Sequence, residues 1–271
     1  MNSSVLKRNN VVVLGEGTQP MVFAHGFGCD QNMWRFIWPS FAKNYKIILF
    51  DYVGCGKSDL SEYNEEKYRD LNGYAQDLLD ICEVLDLEDI VFVGHSVSSI
   101  IGILAAIKRP SVFSNLILVG PSPRYINEAP VYTGGFEQKD IIELLDTMEK
   151  NYVGWANFLG PAVMKNADRP ELSEELTTSF CATDPVMARN FAKATFLSDN
   201  RNDLAKINLP VLIMQCSDDL IAPMEVGHFM RDNLKNSVLE ILKATGHCPH
   251  MSAPEETILV MKKYLSNYEK K

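Results

Sequence analysis

A serine stands at a tight step between two apolar segments near the middle of the chain. Residues 90–93 are apolar and of strand length, and residues 100–107 are almost wholly apolar and of helix length. Between them, Gly94, Ser96 and Ser98 follow the pattern Gly-x-Ser-x-small. A strand that turns into a helix over such a step presents the serine hydroxyl above the carboxyl end of a sheet. Ser96 is therefore the candidate nucleophile, with a chance turn as the alternative.

A serine hydroxyl needs a general base, and the candidates are two histidines near the carboxyl end of the chain. In a strand–turn–helix scaffold the partners follow in the order serine, acid, histidine. Three of the five histidines lie before the serine, beside it or in a predicted helix, which leaves His247 and His250. His247 follows a glycine in the loop after a predicted strand, so it is the predicted base, with a structural histidine as the alternative. His250 opens the last helix and is expected to pack or cap.

The acid that orients the base is expected at the end of the preceding strand. Residues 210–215 form an apolar run of strand length, and two adjacent aspartates, Asp218 and Asp219, follow it. Neighbouring side chains point in different directions, so spacing cannot choose between them. We favour Asp219 and expect Asp218 to be solvated, but the residues alone leave both open.

A loop near the amino terminus has the residues of an oxyanion hole. Residues 20–24 are predicted to form a buried strand that leads into His25, Gly26, Phe27 and Gly28. Such a loop aims a backbone N–H at the oxygen on which negative charge develops. The predicted donors are the N–H groups of Phe27 and of Val97, the residue after the serine. His25 is expected to shape this loop.

These segments together resemble the α/β-hydrolase family over nearly the whole chain. The broad match rests on residues 25–28 (HGFG), 51–58 (DYVGCGKS), 94–97 (GHSV), 215–219 (QCSDD) and 246–250 (GHCPH). More narrowly, the chain resembles the RsbQ-like branch, typified by a regulator of the sigma-B stress pathway and similar to the plant strigolactone and karrikin receptors. The narrower match adds residues 50–54 (FDYVG), 119–123 (VGPSP), 149–152 (EKNY) and 154–156 (GWA).

The resemblance implies a function, a pocket and a partner. It places Asp219 at the acid position, whereas Ser98 stands where glycine is commonest. It also places five aromatic side chains at the wall of a substrate pocket: Phe27, Phe136, Trp155, Phe158 and Phe196. The pocket has no matching arginine or lysine clamp, which indicates a small, mostly apolar ester or lactone-like ligand, and no cofactor or metal is implied. For the RsbQ-like branch the partner is a PAS-containing phosphatase, so a partner of this kind is expected.

The elements that hold these residues alternate along the chain between strands and helices. Such alternation predicts an α/β fold with a mostly parallel sheet and helices on both faces. Residues 124–199 interrupt this alternation, because they show only the periodicity of helices. They are therefore predicted to form an all-helical lid inserted in a core formed by 1–123 and 200–271. The predicted strands are 20–24, 45–50, 90–93, 115–119, 211–215 and 238–242.

Composition excludes several other classes of function. A net charge of −9 argues against a surface for nucleic acid or anionic membrane. No apolar run approaches the ~18 residues of a membrane span, and residues 1–10 lack the apolar core of a signal peptide. The six cysteines show neither close pairs nor metal-binding spacing. They are expected to be reduced thiols in a cytoplasmic protein.

Three functions remain open from the sequence. The first is a serine hydrolase of a small ester or lactone-like compound that acts in stress signalling as an RsbQ-like regulator of a sigma factor. The second is a small-ligand sensor with slow turnover that engages a protein partner through its lid. The third is a metabolic carboxylesterase. A Ser-His-Asp triad is compatible with all three, so its residues alone do not separate them.

Overall fold

A seven-stranded sheet forms the centre of the computed structural model, which describes residues 2–268. Its strands are β1 (Val12–Leu14), β2 (Gln19–Ala24), β3 (Tyr45–Leu49), β4 (Ile90–His95), β5 (Phe113–Val119), β6 (Val211–Asp218) and β7 (Ser237–Thr245). They lie in the order β1-β3-β2-β4-β5-β6-β7. The edge strand β1 runs antiparallel to β3, and the other neighbouring pairs within residues 2–268 are parallel. The predicted fold class is confirmed.

Helices cover both faces of this sheet. They are α1 (Asn2–Arg8), α2 (Leu71–Val84), α3 (Val97–Lys108), α4 (Gln138–Lys150), α5 (Tyr152–Met164), α6 (Pro170–Ala182), α7 (Pro185–Phe196), α8 (Met224–Asn233), α9 (Pro249–Ser252) and α10 (Pro254–Tyr268). Side chains alternate across each strand, so β4 sends Phe92 into the core with α2, α3 and α8, and Val93 into the core with α10. Both cores are apolar, as expected for parallel strands covered on two sides.

The structure adds two elements to those that the sequence predicted. Strand β1 has three residues, too few to show an alternating pattern, and it forms the edge of the sheet beside β3. Helix α1 has seven residues, and the segment after it is tied to the core because Asn9 Nδ2 donates to the carbonyl oxygen of Asp51 at 3.0 Å. Within residues 2–268, none of the helices combines the length and apolar character that crossing a membrane requires.

The lid, residues 124–199, leaves the sheet after β5 and returns before β6. It contains α4, α5, α6 and α7 and, within the described residues, pairs as a strand only at isolated bridges. Its two ends lie side by side, because the N–H of Asn200 donates to the carbonyl oxygen of Pro123 at 2.8 Å and Arg124 pairs with Asp199.

One core side chain, Phe27, joins the lid to the sheet. Its ring centroid lies 6.1 Å from that of Trp155, 6.2 Å from Phe180, 5.6 Å from Phe191 and 5.9 Å from Phe196. All four of these rings belong to lid helices, and aromatic pairs at such distances stabilise a contact beyond the apolar area that they bury. The lid therefore packs over the loop that follows β2, at the carboxyl end of the sheet.

Candidate active site

Ser96 occupies a strained corner between β4 and α3. Its backbone has φ 56° and ψ −122°, a conformation that residues other than glycine rarely adopt. The neighbouring structure holds it there, because the N–H of Ser96 donates to the carbonyl oxygen of Val119 at 2.8 Å. The helix passes so close to the strand that a Cβ on Gly94 would lie 2.8 Å from the backbone of Ser98. This is the geometry that the Gly-x-Ser-x-small pattern predicts.

His247 and Asp219 complete a hydrogen-bonded chain with this serine. His247 Nε2 lies 2.7 Å from Ser96 Oγ, and His247 Nδ1 lies 2.7 Å from Asp219 Oδ2. Because a carboxylate only accepts, Nδ1 carries the proton and Nε2 offers its lone pair to the hydroxyl. The other carboxylate oxygen, Asp219 Oδ1, accepts the N–H groups of Ile221 at 2.8 Å and Ala222 at 3.2 Å. The acid is therefore held on both oxygens.

The structure separates the two candidate aspartates. Asp219 is buried against His247, whereas the Asp218 side chain is 64% exposed and pairs with Lys165 at 2.5 Å. A bulge in the pairing of β6 with β7, between Cys216 and Asp218, precedes the pair. The side chain of Asp219 thus reaches the histidine, and that of Asp218 points toward solvent, as expected.

Ser98 ties the serine corner to the loop after β2. Its hydroxyl is fully buried and donates to the carbonyl oxygen of His25. Ser98 Oγ also lies 3.0 Å from the hydroxyl oxygen of Tyr52. A glycine at this position would have neither contact. The serine is thus accommodated in the corner and links two of the loops that surround Ser96.

His25 shapes the same loop, as the sequence predicted. Its Nε2 accepts the N–H of Tyr52 at 3.2 Å, so Nδ1 is the protonated nitrogen and donates to the carbonyl oxygen of Gly26 at 2.8 Å. Complete burial lowers its pKa, and the nearby carboxylate of Asp51 opposes that shift. A buried, neutral ring with both nitrogens engaged cannot serve as a second base.

Two more buried histidines, His95 and His250, lie close to His247, the candidate base. His95 Nε2 lies 2.8 Å from the carbonyl oxygen of His247, so Nε2 carries a proton and links the serine corner to the histidine loop. Burial lowers the pKa of His95, and the neighbouring His250 and His247 lower it further. Burial also lowers the pKa of His250 to about 3, and its ring packs 4.7 Å from that of Trp34. His250 is therefore a packing residue, as predicted.

The predicted oxyanion donors lie on the two loops that flank Ser96. Val97 is the first residue of α3, and N–H groups in the first turn of a helix have no partner within the helix. Phe27 follows Gly26 in the loop after β2. Their role as donors stays a prediction.

A narrow cavity lies directly over Ser96 and His247. Its volume is about 30 Å³, room for one or two water molecules. Phe27 and Phe196 line it, as predicted, and the residues that complete its apolar wall are Leu159, Val163, Leu176, Phe180, Ile221, Cys29 and Cys248. Within residues 2–268, no group of three or more acidic, histidine or cysteine side chains is arranged to bind a metal ion.

Three of the five predicted wall residues do not line this cavity. The prediction for Phe158 is wrong: its side chain is 72% exposed because it lies on the outer face of α5, whereas the next residue, Leu159, faces inward. Trp155 is buried behind the wall, 5.4 Å from the ring of Phe180. Phe136 is partly buried against the lid cluster, away from the cavity lining.

Sequence reasoning missed two polar wall residues, Tyr125 and Thr195. Tyr125 follows β5 at the start of the lid, and Thr195 lies in the last turn of α7. The helical period of α7 could have indicated that Thr195 faces inward, because Phe191 and Ala192, one turn earlier, are buried. No such pattern exists for Tyr125, which lies outside any helix or strand.

The lid also contacts the loop that carries the base. The N–H of His247 donates to the carbonyl oxygen of Val163, near the end of α5, at 2.9 Å. Asn166 Nδ2 donates to the carbonyl oxygen of Thr245 at 3.0 Å. A Cβ on Gly246 would lie 2.2 Å from the carbonyl oxygen of Met164, so this close contact requires glycine. The base is thus positioned by the lid as well as by the sheet.

Comparison with known proteins places this geometry in a family. Residues 21–258 match the model of the "Alpha/beta hydrolase family". The chain is 38% identical to "Strigolactone esterase RMS3" of Pisum sativum, over 94% of this chain and 95% of that protein. It is 36% identical to "Karrikin insensitive 2 receptor IA" of Petunia hybrida, over 95% and 94%. Among solved structures, a hydrolase from Oleispira antarctica superimposes with a TM-score of 0.96 at 45% identity, over 98% and 97% of the two chains.

The two aspartates predict opposite outcomes on substitution. Asp219→Asn removes the charge that orients and stabilises the imidazole, so ester hydrolysis should fall by about 10⁴-fold. Asp218→Asn, the matched control, removes an exposed ion pair and should keep hydrolysis within about twofold. Steady-state kinetics with a p-nitrophenyl ester measure both. A larger loss in Asp218→Asn than in Asp219→Asn would contradict the assignment.

Ser98→Ala is expected to destabilise the protein. It leaves the buried carbonyl oxygen of His25 and the hydroxyl of Tyr52 without this partner, at a cost of about 1–3 kcal/mol in the free energy of unfolding. Denaturant unfolding followed by circular dichroism measures the change. As a control, Ser61→Ala removes a hydroxyl that bonds locally to Asp59 at the surface and should change stability by less than about 0.5 kcal/mol. Equal stability of the two variants would show that the Ser98 contacts contribute nothing.

Proposed function

We propose that this chain, which belongs to the alpha/beta hydrolase family, binds a small ester or lactone and hydrolyses it through Ser96. The geometry of its triad is the basis of this proposal. The observation that carries the proposal is the pair of 2.7 Å contacts that His247 makes with Ser96 and Asp219. A serine activated in this way attacks a carbonyl carbon. The esterase named among the relatives supports the same chemistry.

The proposed reaction has two stages. In the first, His247 Nε2 takes the proton of Ser96 Oγ while that oxygen bonds to the carbonyl carbon, and the carbonyl π electrons move onto its oxygen. The N–H groups of Phe27 and Val97 are the proposed donors to this oxyanion. The carbonyl re-forms, the C–O bond to the alcohol breaks, and the alcohol leaves with the proton from His247. In the second stage His247 Nε2 takes a proton from water while the water oxygen bonds to the acyl carbon. The bond from that carbon to Ser96 Oγ then breaks, His247 returns the proton to Ser96 Oγ, and the acid leaves.

Cavity size supports a small ligand or one that displaces the lid. Ligand pockets for drug-sized molecules typically have volumes of about 300–1,000 Å³, whereas this cavity has about 30 Å³. The wall over Ser96 consists largely of lid side chains such as Leu159, Leu176 and Phe196. A larger substrate therefore enters only when these side chains, or the helices that carry them, move.

We propose further that ligand binding serves as a signal. Two observations support this: relatives named as receptors match nearly the whole chain, and the lid surrounds the ligand cavity. A ligand that favours one lid arrangement over another changes the surface that a partner meets. The lid carries 12 acidic and 7 basic residues, so its surface is acidic.

A PAS-containing phosphatase is the partner we propose first, from the resemblance to the RsbQ-like branch, with a role in sigma-factor stress signalling. We also propose a cytoplasmic location, which the six free cysteines support. The competing function is a metabolic carboxylesterase, which the match to the hydrolase from Oleispira antarctica supports. Whether the protein binds such a partner separates the signalling function from the metabolic one.

Substitution of the triad should abolish hydrolysis and leave the fold intact. Ser96→Ala and His247→Ala should each lower kcat by about 10⁴-fold or more, because triad residues act as a unit. The double variant should lose little beyond either single change. Single-turnover assays with short p-nitrophenyl esters measure the loss, and circular dichroism checks the fold. Full activity in Ser96→Ala would end the proposal of serine hydrolysis.

A lid substitution should separate signalling from hydrolysis. Val153 lies on α5 and is 58% exposed, so Val153→Arg should weaken capture of the PAS-containing phosphatase at least tenfold and leave hydrolysis of a small ester within about twofold. Leu259→Arg on α10, where the wild-type side chain is 68% exposed, is the matched control away from the lid. Binding is measured by surface plasmon resonance with and without ester. Absence of binding by wild type in both conditions favours the metabolic carboxylesterase.

A further inference from the structure

Two hydroxyl groups in the cavity wall lack a structural hydrogen-bond partner among the described residues: that of Thr195, and that of Tyr125, which has only the hydroxyl of Ser96 beside it. Both side chains are buried, each with 1% of its surface exposed. Fewer than one buried polar group in ten is normally left unpaired, because an unpaired buried hydroxyl is costly. Water in the cavity can pair with both hydroxyls, so a ligand that displaces this water must supply their partners.

The Tyr125 hydroxyl lies beside the reacting serine. Its ring packs 5.1 Å from that of Phe196, which fixes the orientation of the side chain in the wall. Burial raises the pKa of Tyr125, and the adjacent hydroxyl of Ser96 acts in the opposite direction. The tyrosine consequently stays protonated at neutral pH and keeps a hydrogen to donate.

Thr195 differs from two other threonines of the lid helices, Thr147 and Thr178. A threonine inside a helix commonly donates its hydroxyl to the carbonyl oxygen four residues earlier. Thr147 does so to Glu143, and Thr178 does so to Glu174, each at 2.8 Å. The hydroxyl of Thr195 makes no such bond within the described residues, although Thr195 lies in the last turn of α7. Thr195 therefore lines the cavity with a hydroxyl that its own helix does not bind.

We propose that Tyr125 and Thr195 form a second polar anchor, which binds an ether, carbonyl or hydroxyl oxygen of the substrate other than the ester group. This inference rests on the proposed ester hydrolysis and narrows its substrate class to small oxygenated esters and lactones. The rest of the wall away from the triad is apolar, so an additional ligand oxygen finds its partners at these two hydroxyls. A purely hydrocarbon acyl group leaves both unpaired.

Two esters of nearly equal shape test this selectivity. p-Nitrophenyl methoxyacetate and p-nitrophenyl butyrate differ in one position of the acyl chain, which is oxygen in the first and CH₂ in the second. The measured quantity is the ratio of their kcat/KM values, divided by the ratio of their rates of hydroxide-catalysed hydrolysis. Wild type should favour the methoxy ester by about tenfold or more, the usual effect of one hydrogen bond gained or lost in a buried site.

Removal of either hydroxyl should lower this ratio. Thr195→Val keeps the shape of the side chain and should reduce the ratio about tenfold, as should Tyr125→Phe, whereas Thr195→Ser should retain it. Thr178→Val, which removes a hydroxyl that bonds to its own helix, is the control and should leave the ratio unchanged. An unchanged ratio in both Thr195→Val and Tyr125→Phe overturns the anchor. If Tyr125→Phe lowers kcat/KM equally for both esters, the Tyr125 hydroxyl contacts the reacting ester group and does not belong to the anchor.

Stability gives an independent readout. Since the Thr195 hydroxyl has no partner in the protein, Thr195→Val should melt at the same temperature as wild type or higher. A fall of several degrees would show an internal partner and overturn the proposal for Thr195. This measurement does not depend on catalysis.

Failure of the proposed function would have a different signature. In that case wild type hydrolyses neither ester, and binding of the matching anilides, methoxyacetanilide and butyranilide, is measured by calorimetry. Tighter binding of the methoxy compound that is lost in Thr195→Val supports the anchor without catalysis. Equal binding of the two anilides by wild type overturns it.

Discussion

The close approach of β4 and α3 is the constraint on which the site depends. No side chain fits at Gly94, because a Cβ there would meet the backbone of Ser98. That approach forces Ser96 into its strained conformation, and the hydrogen bond from its N–H to Val119 fixes the corner to the neighbouring strand. Strain of about 1–3 kcal/mol persists only where the surroundings over-determine it. Here the sheet on one side and the buried helix on the other supply that support.

Much of the fold and the triad could be predicted from the sequence because both depend on local patterns. Apolar runs of strand length mark the inner strands, and the order serine, acid, histidine follows from the scaffold. The choice between Asp218 and Asp219 depends on how the chain turns at the end of β6, where its register with β7 shifts, and spacing does not reveal this. Phe158 was misplaced because the resemblance, which put it in the pocket wall, does not fix which face of α5 meets the core in this chain.

The surroundings of His247 show how, within residues 2–268, the candidate base is held with no charged group beside it other than Asp219. His25, His95 and His250 are buried, and burial lowers the pKa of each, so all three are neutral at physiological pH. Two of them use a ring N–H to hold a backbone carbonyl oxygen, that of Gly26 and that of His247. Neutral rings position the loops without competing for Asp219, whose second oxygen is bound to two backbone N–H groups.

The hydrogen bond from the N–H of His247 to the carbonyl oxygen of Val163 couples the position of the lid to the geometry of the candidate triad. The carbonyl oxygen of Val163 belongs to α5, so any movement of this helix away from the sheet removes a partner from the backbone of the base itself. Such a movement is one route by which a ligand larger than the cavity enters. Ligand entry and proton transfer then take place in different states of the protein. In the open state the backbone N–H of His247 lacks its partner on α5, and in the closed state that hydrogen bond is present. By this route, each round of the proposed hydrolysis waits for the return of α5.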